Sequence, residues 1–276
     1  MKARAPAIAL ILLACARQAA VADQAQLPPA PASAGEDRLL FSADGGWLTG
    51  GSGAGGASAL WSHTFAPRDV INVGAEYEQV ANSHWTNGIL SGSFGLGSGT
   101  SAPAIYFDAH EGAGDLASRS FRYSVVTVGL LDAPTQWLTV QLEERRIDVD
   151  TSHGNLPKLS LSFRVAQPLL LSASYADSAG GNLGTQLAAL RVDYVGQAST
   201  ALAGAAHGRA APAVLNLQGQ IVQPSPTLTE VFAGAGHSFG RADWKLLADY
   251  QDIEGFKRTT ITLLCTLHLD EHGRSP

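Results

Sequence analysis

The sequence is poor in charge: only 15% of its 276 residues are Asp, Glu, Lys or Arg. Its mean hydropathy is +0.05. A water-soluble domain of this size normally carries more charge. The net charge is -6 and no basic run occurs, which argues against a nucleic-acid partner. The chain has two cysteines, Cys15 and Cys265, so no disulfide framework organises it. The histidines at 63, 153, 207, 237 and 272 lack metal-ligand spacing. The Gly-rich stretches Gly50 to Gly56 and Gly95 to Gly99 lack the Lys of a phosphate loop and read as hairpin connections. No cofactor or metal is therefore expected. Amphipathic helices of normal length are also missing, and no apolar run is long enough to cross a bilayer as a helix.

The N-terminus is instead built for export. Lys2 and Arg4 precede an apolar stretch, Ala7 to Ala14, and Ala20-Val21-Ala22 supplies a small-x-small cleavage site. Residues 1–22 therefore read as a signal peptide. Leu12-Leu13-Ala14-Cys15 offers an alternative, a lipoprotein box that would leave Cys15 lipidated. A Pro- and Ala-rich leader follows over 23–36, then the structured region 37–269, then a polar tail over 270–276.

From Arg38 onward one pattern repeats: runs of about ten residues alternate apolar and polar, with turn formers between them. In Leu159-Ser160-Leu161-Ser162-Phe163-Arg164-Val165 every odd position is apolar. Ile261, Leu263, Cys265, Leu267 and Leu269 share one face opposite Thr260, Thr262, Thr266 and His268. Trp244, Leu246, Ala248 and Tyr250 likewise oppose Lys245, Asp249 and Gln251. Period two means strands with one apolar and one polar face. The fold class is all-β, and two architectures compete, a soluble periplasmic sandwich or barrel and a barrel that spans a membrane. Strand length favours the second, since a tilted spanning strand needs about 9–11 residues. Connection length does too. Short turns (66–69, 132–135, 166–168, 196–198) alternate with longer stretches read as outer loops (79–88, 147–158, 177–184). Tyr77, Tyr123, Trp137, Tyr175, Tyr194 and Tyr250 lie near strand ends, where interfacial girdles form.

Fifteen candidate strands can be placed, an odd number for a closed antiparallel barrel. Those at 104–111 and 199–207 are weakest, while 213–222 alternates clearly. The expectation is a single antiparallel transmembrane barrel of 12–16 strands, with fourteen favoured. Signal and repeating amphipathic hairpins together resemble the outer-membrane β-barrel proteins of Gram-negative bacteria, and the size and strand pattern are similar to the YaiO type. The resemblance implies residence in the outer membrane. Its partners would then be outer-membrane lipid, lipopolysaccharide and the barrel-assembly machinery, with other envelope or export components as further candidates. Many such barrels end on an aromatic residue; here the last strand ends near His268-Leu269.

No catalytic constellation is evident, and the chain is not read as an enzyme. The strongest counter-signal resembles the outer-membrane phospholipases: His110-Glu111-Gly112 followed by Ser118-Arg119-Ser120-Phe121. Gly112 stands where the attacking hydroxyl would be, so a lipid-acting hydrolase is the alternative rather than the expectation. His84-Trp85, with Asn82 and Asn87, reads as part of a loop with an exposed or interfacial Trp. The functional candidates are charges on the polar faces: Glu76, Glu78, Glu143, Arg145, Arg164, Arg191, Asp193, Lys245, Asp249 and Arg258. Segregated across an open lumen they would make a diffusion pore; paired across a narrow one they would make a plugged barrel. The functional expectation is a small monomeric pore, or an accessory in envelope assembly or polysaccharide export.

Overall fold

The computed structural model describes residues 34–269 apart from 82, 98–101, 117–118, 151, 182–183, 212–213, 216–220, 223–226 and 254–255. The signal peptide, most of the leader and the polar tail fall outside the described residues. Sixteen strands follow one another without a helix among the described residues. They are β1 (Glu36–Leu48), β2 (Gly53–Ala66), β3 (Asp69–Val80), β4 (Ser83–Gly95), β5 (Ala104–Leu116), β6 (Arg119–Thr135), β7 (Leu138–Val149) and β8 (Ser152–Ala166). Then come β9 (Leu169–Ala176), β10 (Gly184–Val195), β11 (Ser199–Ala211), β12 (Val214–Leu215), β13 (Ile221–Val222), β14 (Thr227–Phe239), β15 (Ala242–Ile253) and β16 (Phe256–His268).

All but β12 and β13 form one closed antiparallel barrel of fourteen strands. Each strand pairs with its neighbours in sequence, and β1 closes on β16 from Arg38↔His268 to Leu48↔Arg258. Both described termini therefore lie at one end, the terminal end; the other is the far end. The run at 213–222 is not wall. β12 and β13 pair only with each other, and β11 passes its register directly to β14. The weaker-looking segments at 104–111 and 199–207 are full strands, β5 and β11.

The longest connection, between Ala211 and Thr227, lies at the far end, as does that between Ala176 and Gly184. Two other stretches read as outer loops are strand instead. β3 runs to Val80 and β4 starts at Ser83; β7 runs to Val149 and β8 starts at Ser152. Ala81 (φ 52°) and Asp150 (φ 50°) take the left-handed turn that allows so tight a reversal.

Outward side chains form an apolar belt. Leu190 and Leu246 are more than half exposed, and Val128, Leu142, Leu159 and Ile261 are exposed beside them. No soluble fold of ordinary composition shows so continuous an apolar exterior, which rules out the periplasmic sandwich. Exposed aromatics mark the belt's edges. Trp61, Phe65, Trp137, Tyr194 and Phe239 stand near the terminal end, Trp47, Tyr77 and Tyr175 nearer the far end.

Past the belt, toward the far end, the two faces exchange character. On β7, Leu142 is the last outward apolar residue, and Glu144, Arg146 and Asp148 follow outward. The inward side chains there are Ile147 and Val149. On β6, outward Val126 gives way to Ser124 and Arg122, while inward Val125, Tyr123 and Phe121 are buried. Trp85, at 2% exposure, joins Leu48, Val80, Phe121, Tyr123, Val125 and Val149 in one inner cluster. Trp85 is thus neither a loop residue nor interfacial, and Tyr123 belongs to no girdle. Above the bilayer the outer surface meets water, so the wall there buries its apolar side inward like any soluble sheet.

Single-tryptophan variants check this geometry. Brominated lipid is expected to quench Trp61 and Trp137 but to leave Trp85 unaffected. Quenching of Trp85 would contradict the inverted far-end wall.

Candidate functional site

The barrel interior is the candidate site, because period two puts the ten charged candidates on the inward-facing parity of their strands. Glu78, Glu143, Arg145, Asp193 and Arg258 are each less than a tenth exposed, and Glu76, Arg191, Lys245 and Asp249 are partly buried on the same face. Arg164 shares their parity but is exposed, two residues before the turn that ends β8.

The inward ion pairs follow strand geometry. Residues two apart on a strand point the same way, some 6.5–7 Å along the chain, within reach of an arginine. Arg38 accordingly meets Glu36 at 2.8 Å, Arg145 meets Glu143 at 3.2 Å and Arg191 meets Asp193 at 2.6 Å. Other pairs join adjacent strands. Lys158 on β8 approaches Glu143 at 3.7 Å. His268 on β16 has Nδ1 2.6 Å from Glu36 on β1 and Nε2 2.8 Å from Asp243 on β15.

Glycines let long side chains lie on the wall. A Cβ at Gly129 on β6 would overlap the Tyr106 ring, so Tyr106 on β5 lies across β6. Its hydroxyl donates to Glu143 at 2.9 Å and accepts from Gln141 at 2.6 Å, both on β7. Phe232 covers Gly204, Leu247 covers Gly234 and Lys245 covers Gly236 in the same manner. Tyr106 and Gln141 escaped the sequence reading because their role depends on a glycine on another strand. The neighbouring stretch of wall is a polar chain. Asn87 donates to Glu76 at 3.0 Å and approaches His110 at 3.4 Å, and His110 lies 2.9 Å from Asp108.

These contacts hold His110 and Ser120 of the hydrolase echo apart. His110 faces inward, whereas Ser120 is exposed on the outer face and donates to Asp115 at 2.8 Å. His110 is level with Val125, five residues along β6 from Ser120, or roughly 16 Å. Ser118 lies outside the described residues. No group of three or more His, Cys, Asp or Glu able to hold a metal occurs among the described residues.

No protein-family model matches the chain, and no curated protein matches it. Solved structures do. The CymD monoaromatic hydrocarbon channel superimposes with a TM-score of 0.57 at 10% identity, covering 88% of this chain and 90% of its own. A Pseudomonas aeruginosa FadL homologue gives 0.57 at 9% identity, with 85% and 91% covered. The P. putida toluene transporter TodX gives 0.53 at 8% identity, with 86% and 91% covered. The fold is that of the outer-membrane β-barrels. Nothing found supports the narrower likeness to the YaiO type. At these identities the likeness is one of architecture alone, and what the lumen passes has to be argued from its own side chains.

Gly129→Val is the sharpest probe of the wall packing. It displaces Tyr106 from Glu143, and over-packing of this kind costs about 1–3 kcal/mol. Urea unfolding in lipid is expected to show that loss. Tyr106→Phe, which removes only the hydroxyl, should cost about 1 kcal/mol.

Proposed function

We propose that this chain is a small monomeric pore of the Gram-negative outer membrane, its terminal end toward the periplasm. One observation carries the reading: the inward ion pairs of Arg38 with Glu36, of Arg145 and Lys158 with Glu143 and of Arg191 with Asp193 run along the wall. Charges that paired across the barrel would draw its sides together and plug it; pairs within a strand or between adjacent strands leave the two sides independent. Fourteen strands about 4.8 Å apart, tilted by ~40°, give a backbone circle roughly 28 Å across, wide enough for a passage once the side chains lie flat. The fold shared with solved hydrocarbon channels agrees with transport rather than catalysis.

Ring closure leaves no strand edge through which a second copy could pair, in keeping with a monomer. Outer-membrane lipid and lipopolysaccharide would surround the belt, and the barrel-assembly machinery would insert it. Among the described residues, no feature of the interior favours an accessory role in envelope assembly or polysaccharide export over a pore.

Planar-bilayer recording of the purified protein tests the proposal. Steady channels are expected, and their absence under conditions where the barrel shows heat-modifiable migration would sink it. The inner aromatic cluster narrows the far mouth, so the double variant Phe121→Ala, Tyr123→Ala is expected to conduct more than the parent.

A further inference from the structure

The inward charges near the far end are not evenly spread around the ring. Each charge of the two arcs described here lies within six residues of the far end of its strand. One arc, on β14, β15, β16, β1 and β3, carries the carboxylates of Glu230, Asp249, Asp44, Glu76 and Glu78, with Arg258 as its single cation. Asp44 and Glu78 lean toward one another over Gly56. A Cβ there would stand 2.9 Å from Asp44 Oδ1 and 2.8 Å from Glu78 Oε1. The facing arc, on β7 and β8, carries Arg145 and Lys158, both directed at Glu143. Two cations on one carboxylate leave that side positive.

The ring order sets these arcs opposite one another. Going round the barrel, β8 is seven places from β1 in either direction, and β7 is seven places from β16. The negative side is thus centred on β16 and β1, and the positive side on β7 and β8. Deeper in the barrel, six to nine residues from the far end, Arg191 pairs with Asp193 on β10, Asp108 meets His110 on β5, and Lys245 adds a cation on β15.

We propose, resting on the pore reading above, that this far-end zone selects small zwitterionic solutes. A field directed across the lumen does nothing net for an uncharged solute and attracts a lone cation or anion to one wall only. A molecule with an ammonium at one end and a carboxylate at the other aligns with that field, each end toward the wall of opposite charge, and so recovers part of the hydration it loses on entering. Orientation across the axis also fixes which solute dimension must clear the aromatic arc above it.

The experiment is solute-driven swelling of liposomes that contain the full-length protein, with glycylglycine as the zwitterion and N-acetylglycinamide as a neutral molecule of similar size. Glycylglycine is expected to enter several-fold faster through the parent protein, and the advantage to vanish in Glu76→Gln, Glu78→Gln. Should that variant fail to show heat-modifiable migration, Lys158→Gln on the facing wall gives the same readout and is expected to reduce the advantage. Entry of both solutes at equal rates, or an advantage that survives loss of either wall's charge, overturns the proposal and leaves the pore standing. Failure of every solute to enter overturns the pore reading and this proposal with it.

Discussion

Inside a bilayer no water is available to a backbone N–H or C=O, so every strand must find a partner on both sides and the sheet must close. The pairing of β1 with β16 is therefore the contact on which the rest of this structure depends. It extends over nearly the whole of both strands. It is reinforced at each end. At the far end Thr49 Oγ1 accepts from the Lys257 amide at 2.7 Å, and at the terminal end His268 bridges Glu36 and Asp243. With the ring closed, alternation does the remainder: odd and even side chains are committed to lipid or lumen, and a one-residue slip anywhere would exchange them.

That commitment explains why so much of the architecture was legible. Period two in β8, β15 and β16 reports a surface that faces lipid on one side and polar groups on the other, and residue type tracks it closely. What escaped lies beyond the bilayer. At the far end the period stays two while the apolar face changes sides, and periodicity has no means of saying which side is which. Trp85 was misplaced for this reason, and 79–88 and 147–158 resembled loops because their outward residues are polar. A signal was present: two adjacent apolar residues, one facing each way, mark the level of exchange. Ile89-Leu90 on β4 and Val125-Val126 on β6 are such pairs, the first of each buried and the second exposed.

The segment 213–222 failed differently. Its alternation is as clear as any, but two strands of two residues that pair only with each other add no wall. Alternation shows that a segment is extended with two unlike faces; it does not show which strand lies beside it. The charged candidates divide along the same line. Parity alone indicated which face they share, whereas the pairing of Arg145 with Glu143, and of both with Lys158, Tyr106 and Gln141, depends on neighbours brought up by the ring.

Glycine ties these strands of argument together. Thirty glycines suggested flexible connections, and Gly50 and Gly51 do adopt positive φ in the first far-end turn. Many of the others stand in the wall, where glycine in a strand ordinarily costs about 0.5–1 kcal/mol relative to alanine. The cost is offset where a neighbouring side chain covers the gap, as Tyr106 covers Gly129 and Phe232 covers Gly204. The same gaps decide how much of the lumen stays free. A wall with a Cβ at each of these positions would push the tyrosine, the phenylalanine, Lys245, Asp44 and Glu78 off the sheet and toward the barrel axis. In this barrel the glycine content is therefore a property of the inner wall, and the residues that look like slack in the sequence are those over which the long inward side chains lie.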